Sequence, residues 1–440
     1  MGAATMSAPA RLWAVFFAFL LLVPIALPAP AVAQANGLAG SWTGSWVRDG
    51  DALPVTMSFT RNEGGYAGTF SSDALQAAAI PLSAIDEADG KVRFEIRGDQ
   101  TTSKFEGRLS GGTIAGSFTD GDAAGTFRLT RALRPPPPVK TRDVAFTAGA
   151  ARLSGTLVLP ATPGRHPAVL FLQGSGPEGR WANRYLAQKF AEAGIAALIY
   201  DKEGVGQSTG DWRKADFAHL ADDAAAGIAL LRAQAEVDPA RVGIYGHSQG
   251  GTIAPLVAER AGRIAFVIAS AAVGADPADA ETYSVGNAIG LDALPPAERD
   301  DARAYVDAVV DVGYRGKDRA ELDAASTRFK TRSWYFAPPD PGDVYWRLAG
   351  QDFRPAPHWR RLKAPVLLVY GAHDERVPPC ESIAAIEAAL AGGGNRRVTV
   401  KLYPDADHIF AIVDPARKGG WPRHEPDYAA TLIQWVKAQR

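Results

Sequence analysis

The pattern of apolar and polar positions changes character along the chain. From residue 37 to about 131, apolar residues alternate with polar ones in short runs that end in Gly or Asp. Val55-Thr56-Met57-Ser58-Phe59 turns Val55, Met57 and Phe59 to one face, because side chains alternate along a strand. Val92-Arg93-Phe94-Glu95-Ile96 does the same, and Gly65–Phe70, Ile114–Phe118 and Gly125–Leu129 repeat a glycine near an aromatic. This predicts a small antiparallel β-barrel or sandwich of six to eight strands over 36–131. Pro135–Pro138 close the region, and four prolines make a stiff spacer, so a linker is expected over 132–142. From 143 onward the runs are apolar throughout, as in Ala168–Leu172, Ile195–Tyr200, Val242–Tyr245 and Pro365–Tyr370. Helical stretches such as Phe217–Ala235 and Glu381–Ala391 lie between them, which predicts an α/β region over 143–440 with helices on both faces of a parallel sheet. The proline run is expected to make the two regions separable.

Before the first strand, Leu12–Leu27 is apolar apart from Pro24, and it follows Arg11. Ala31-Val32-Ala33 and Ala33-Gln34-Ala35 are both A-x-A sites. A basic start, an apolar stretch and small residues predict a signal peptide over 1–35, cleaved after Ala33 or Ala35, and hence an exported protein, periplasmic or secreted. Sixteen residues with a proline are short for a membrane span, so no stable span is expected after cleavage.

Composition narrows the chemistry by exclusion. Charges nearly balance, 47 Lys+Arg against 48 Asp+Glu, which gives no pull toward nucleic acid. Cys380 is the single cysteine, so neither an intramolecular disulfide nor a cysteine zinc site can form. No Walker-type phosphate loop and no H-E-x-x-H occurs, and no cofactor or metal is expected.

Chemistry concentrates after the strand ending at Tyr245. Gly246-His247-Ser248-Gln249-Gly250 sits between that strand and a helix-like segment, the context of a nucleophile elbow. The turn is too tight for a Cβ near the serine, and it lifts Ser248 to a helix N-terminus where negative charge is favoured. A serine hydroxyl needs a base. Asp374 follows the strand ending at Tyr370, and His408 follows the next strand, so both open on the rim that carries Ser248. Ser248, Asp374 and His408 are the expected catalytic residues, with Glu375 and Asp407 as rival acids and His424 as rival base. A tetrahedral intermediate needs two N–H donors. The expected donors are Gln249, directly after the nucleophile, and Ser175 in Leu172-Gln173-Gly174-Ser175-Gly176-Pro177.

With these motifs the chain resembles the α/β-hydrolase superfamily over about 143–440. Gly246–Pro255 and Leu172–Pro177 are similar to a group of exported bacterial carboxylesterases with an N-terminal β domain, related to dienelactone hydrolases and prolyl-oligopeptidase-like enzymes. The resemblance implies an α/β-hydrolase fold and an esterase acting on a small-molecule ester of short to medium acyl chain. Asp201–Ser208 is similar to the D-x-R-G-x-G-x-S loop of that group, but Glu203 stands where arginine is usual. That puts arginine-based packing at the loop in question. Residues 274–360 interrupt the sheet pattern and are expected to form a helical cap, whose aromatics Trp334, Phe336 and Trp346 either line an acyl pocket or pack the cap itself. Gly40-Ser41-Trp42 looks like the start of lipocalin-like barrels, so the β region either holds a lipid or polymer or braces the enzyme.

Three further functions compete with a carboxylesterase. A peptidase or amidase could use the same three residues, but the β region is too short for a propeller-sized gate. A thioesterase fits an exported protein less well. A binding protein on an inactive hydrolase fold would need a broken triad, and all three residue types are present.

Overall fold

The computed structural model describes residues 37–97, 101–132, 139–274, 276–349, 353–414 and 420–439. The expected signal peptide and the four prolines lie outside them. The alternating N-terminal pattern becomes nine antiparallel strands: β1 Gly40–Arg48, β2 Asp51–Asn62, β3 Gly65–Ser72, β4 Ala77–Pro81, β5 Ser83–Ala88, β6 Lys91–Arg97, β7 Thr102–Ser110, β8 Thr113–Asp120 and β9 Ala123–Arg131. Six to eight were expected. The strands missed are β4 and β5, whose small residues carry little alternation. The sheet order is β4-β3-β2-β1-β9-β8-β7-β6-β5, so its two edges are consecutive in sequence. Leu82, between them, donates its N–H to the Gly68 carbonyl of β3 at 2.9 Å, and the sheet curls toward a barrel. Leu53, Val55, Met57 and Phe59 of β2 point inward with Trp42, Trp46, Phe94, Phe105 and Phe127.

The second sheet has eight strands in the order β10-β11-β13-β12-β14-β15-β16-β17. These are β10 Lys140–Ala148, β11 Ala151–Leu159, β12 His166–Leu172, β13 Ala196–Tyr200, β14 Val237–His247, β15 Val267–Ser270, β16 Val366–Gly371 and β17 Val398–Tyr403. β10 and β11 are antiparallel additions, and β10 begins at Lys140, inside the expected linker. The remaining pairs are parallel, and β12, β13, β15 and β16 are almost wholly buried, as their apolar runs require, while the outer strand β17 is largely exposed. Helices α1 Arg184–Glu192, α2 Phe217–Arg232 and α3 Gln249–Ala261 alternate with strands β12 to β15 along the chain. The insertion between β15 and β16 holds α4 Pro277–Ala288, α5 Pro296–Arg315, α6 Arg319–Phe329, α7 Val344–Ala349 and α8 Pro355–Arg361. α9 Pro379–Gly392 and α10 Tyr428–Ala438 complete the set. One face packs on α2, α3 and α9 through Ile228, Ile253 and Ile386, the other on α1 and α10 through Phe190 and Leu432. This is an α/β-hydrolase fold with a helical cap, behind an antiparallel barrel-like sheet.

The barrel is not a free-standing module. Trp421, well after β17, is buried in the barrel core, its ring centroid 5.9 Å from Trp46 and 5.8 Å from Phe118. Arg48 covers that ring at 4.3 Å, Trp421 donates its backbone N–H to Asp51 at 2.9 Å, and Arg423 pairs with Asp51 at 2.7 Å. Gly37–Arg440 accordingly forms one compact unit.

Candidate active site

Parallel pairing aligns the carboxyl ends of five strands. Leu172 is level with Gly246, His247 with Ser270, Ser270 with Val369, and Gly371 with Tyr403. The loops after β12, β14, β16 and β17 therefore leave from one edge of the sheet. Ser248 lies at the tip of the elbow with φ 52° and ψ −116°, a conformation costly for a residue with a Cβ. Neighbouring groups hold it there. Ser248 N–H donates to the Ser270 carbonyl at 2.8 Å, and the Ser248 carbonyl accepts from Thr252 Oγ1 at 2.9 Å. The flanking glycines are required by close approach: a Cβ on Gly246 would sit 2.3 Å from the Gly250 backbone, and one on Gly250 2.7 Å from the Gln173 carbonyl.

Asp374 and His408 are both buried, and His408 Nδ1 lies 2.8 Å from Asp374 Oδ2. The other carboxylate oxygen of Asp374 accepts from the N–H groups of Arg376 and Val377, each at 2.8 Å, which fixes its plane. From the cap, the Tyr283 hydroxyl donates to the Asp374 carbonyl at 2.6 Å. The rivals are placed elsewhere. Asp407 caps its own loop by accepting from the N–H groups of Ile409 and Ala411, Glu375 is exposed, and His424 lies against the Ala74 carbonyl of the barrel. The His247 ring is 5.0 Å from that of His408, and burial together with His408 pushes its imidazole down to about 3.

The loop carrying Ser175 is held by a residue that sequence reasoning passed over. Lys202 is 4% exposed, and its ammonium donates to the carbonyls of Gly174 and of Gly176, the latter at 3.0 Å. It also reaches Gln249 Oε1 at 3.2 Å, so one side chain joins both expected oxyanion donors' segments. Burial pushes Lys202 down to about 8 against the opposing pull of Glu178. Glu178 accepts the Gly174 N–H at 2.8 Å, while Ser175 is exposed at the loop surface. The signal for Lys202 was its place in the Asp201–Ser208 motif, read for its glycines and for Glu203. Glu203 points away from the site, toward the N–H of Asp211 at 3.3 Å. Asp201 is gripped by Arg180 at 2.7 and 3.1 Å. Burial alone would raise the Asp201 carboxyl, but Arg180 holds it below the ordinary range. Among the described residues no three His, Cys, Asp or Glu side chains converge as metal ligands.

Of the cap aromatics, Tyr283 touches the acid loop, whereas Trp334, Phe336 and Trp346 pack within the cap. Trp334, 4% exposed, packs with Tyr305 and Phe329 in a cap core of its own, against which Phe336 and Trp346 also rest.

Comparison with known proteins gives a family model, X-Pro dipeptidyl-peptidase (S15 family), matching residues 149–397. The quorum-quenching protein AidA of Acinetobacter baumannii is 32% identical over 132 residues, 30% of this chain and 43% of that protein. The chain thus spans less than half the length of this curated relative. Among solved structures, the esterase Pf2001 of Pyrococcus furiosus aligns over 68% of this chain and 91% of its own, with 17% identity and a TM-score of 0.44. Acetyl xylan esterase 1 from a Thermoanaerobacterium species aligns over 70% and 86%, with 20% identity and a TM-score of 0.41.

Proposed function

The chain belongs to the X-Pro dipeptidyl-peptidase (S15) family, and on that premise we propose that it hydrolyses carboxylic esters of short to medium acyl chain by acyl transfer through Ser248. The observation that carries the reading is the Asp374–His408 pair, 2.8 Å apart on the sheet edge where Ser248 is held at φ 52°. Ser248 attacks the carbonyl carbon while His408 Nε2 accepts its proton. Asp374 holds the imidazole and stabilises the cation formed. The N–H groups of Ser175 and Gln249 receive the oxyanion. His408 then protonates the departing alcohol, and water cleaves the acyl-enzyme by the same route. The acid loop, the base loop and Ser248 act as one unit, so Ser248→Ala is expected to lower ester turnover by about four orders of magnitude or more while the protein stays folded. Near-parental turnover by that variant overturns the mechanism.

The family model favours one second reading, cleavage of a peptide bond. A dipeptidyl-peptidase needs an anion for a substrate's free α-ammonium. Glu178, the carboxylate beside the Ser175 loop, is already taken by the Gly174 N–H and sits near Lys202, which supports the ester reading. Turnover of p-nitrophenyl acetate and butyrate beside X-Pro-p-nitroanilides separates the two: anilides cleaved faster than esters favour the peptidase.

Export is part of the proposal and rests on the leader pattern over 1–35. Protein recovered from the periplasm or medium is expected to begin at Gln34 or Asn36, and a full-length chain retained in membranes overturns it.

A further inference from the structure

A cavity of about 380 Å³ opens on the same edge of the sheet. Its inner wall includes Gly174 and His247, the residues just before Ser175 and Ser248. Its sides include Trp181, Ile409 and Phe410, and its rim is completed by Leu75, in the barrel turn between β3 and β4. The size is that of a small-molecule site. By contrast, a 680 Å³ cavity lined by Pro167 and Pro365 lies at the opposite edge of the sheet, away from all candidate chemistry.

Two large apolar side chains of the walls stand open to solvent. Trp181 is 60% exposed and Ile409 55%, the two most exposed large hydrophobic side chains among the described residues. Exposed apolar side chains at the mouth of a cavity are the groups that a bound ligand would cover. Trp181 is held in position, because its neighbour Arg180 is locked onto Asp201 and also donates to Thr156 Oγ1 at 2.9 Å. Phe410 is fixed by stacking on Tyr428 with centroids 4.2 Å apart.

Which half of an ester belongs here follows from the proton path. The leaving oxygen takes its proton from His408, so the alcohol departs on the His408 side of the carbonyl. The cavity lies on that side: Ile409 and Phe410 directly follow His408, and the His247 ring stands beside the His408 ring. We propose that this cavity is the alcohol subsite and that the barrel, through Leu75, forms its outer wall. The ligand class is an ester of a bulky, ring-bearing apolar alcohol, which Trp181 and Phe410 would receive by face or edge contact. A second cavity of about 830 Å³ shares Tyr185 and His424 with the first and continues along the seam between the sheets, leaving room for larger alcohols. The assignment rests on the acyl-transfer reading above.

The test uses the full chain and two substrate series. In one, acetate is esterified to ethanol, benzyl alcohol and naphthylmethanol. In the other, ethanol is esterified to acids of two to eight carbons. Trp181→Ala alters an exposed side chain, and Leu75→Ala probes the barrel wall separately. The ratio of kcat/KM for naphthylmethyl over ethyl acetate is expected to fall about tenfold in Trp181→Ala and several-fold in Leu75→Ala. Preference within the ethyl series is expected to follow the parent. An unmoved alcohol ratio in both variants overturns the subsite, and so does a shift confined to acyl length, which would make the cavity an acyl pocket. Absence of ester turnover by the parent chain overturns both the subsite and the reading beneath it. Parental turnover with unmoved alcohol selectivity overturns the subsite alone.

Discussion

The cap and the barrel flank the same edge of the catalytic sheet, both rich in aromatic side chains, and they spend them differently. The cap touches the acid loop through Tyr283 and through Asn287, which donates to the Glu375 carbonyl at 3.0 Å. Its large aromatics face one another, with Tyr305 5.3 Å from Phe336 and Phe329 5.2 Å from Trp334. An insertion of five short helices has to bury its own core, and its Trp and Phe side chains are the material available for it. The barrel already has a closed aromatic core, and it offers a turn to the open cavity while admitting Trp421 from the catalytic region. Aromatic content alone therefore does not mark a substrate pocket. What matters is whether the segment has another apolar core to supply.

The largest effect that sharpens this contrast is on stability. Trp421→Ala and Trp334→Ala each empty a large buried site, and each is expected to cost about 3–5 kcal/mol. The two losses should differ in reach. Removing Trp421 exposes the core of a sheet more than three hundred residues earlier, so intrinsic fluorescence and hydrogen exchange should report loosening of β1 and β8. Removing Trp334 should loosen α5 and α6 and leave the barrel protected. Equal loosening of both regions by either variant would break the comparison.

A smaller effect tests the loop from which the barrel-side cavity starts. Lys202→Met removes the ammonium that ties Gly174, Gly176 and Gln249 together, and kcat is expected to fall about ten- to a hundredfold with a smaller change in KM. Stability supplies a second reading. The Lys202 pKa is about 8 in the folded protein and near 10.4 when unfolded, so between these values the unfolded chain binds more protons and parental stability rises with pH. Any advantage in Tm of the Met variant over the parent should therefore shrink as pH rises from 8 to 10. A difference independent of pH would show that the buried ammonium is not the cause.

Much of this was legible in the residues, and the exceptions have physical reasons. The doubly covered sheet showed itself because its parallel strands are apolar on both faces, and the elbow because two glycines flank a serine between a strand and a helix. The sequence also paired Asp374 with His408, which lie within hydrogen-bond distance. β4 and β5 escaped notice because Ala and Ser carry little hydrophobic contrast. The choice between two readings of the cap aromatics needed their neighbours, since an aromatic-rich stretch looks the same facing a cavity or facing itself. Lys202 was missed because a lysine in a polar loop gives no sign that it is buried. The interlock through Trp421 is invisible to any local pattern, as its partner Asp51 lies 370 residues away.

That interlock sets an order of events during synthesis. The barrel strands emerge first, and neighbouring strands can pair by hairpins as they appear. Yet one of the rings in their core arrives only after the catalytic sheet has been made. Until then the barrel is an incomplete shell with Trp46 and Phe118 uncovered on one side. Of the two sheets, the one translated earlier is thus the later to be finished, and the segment after β17 acts as the latch that closes it.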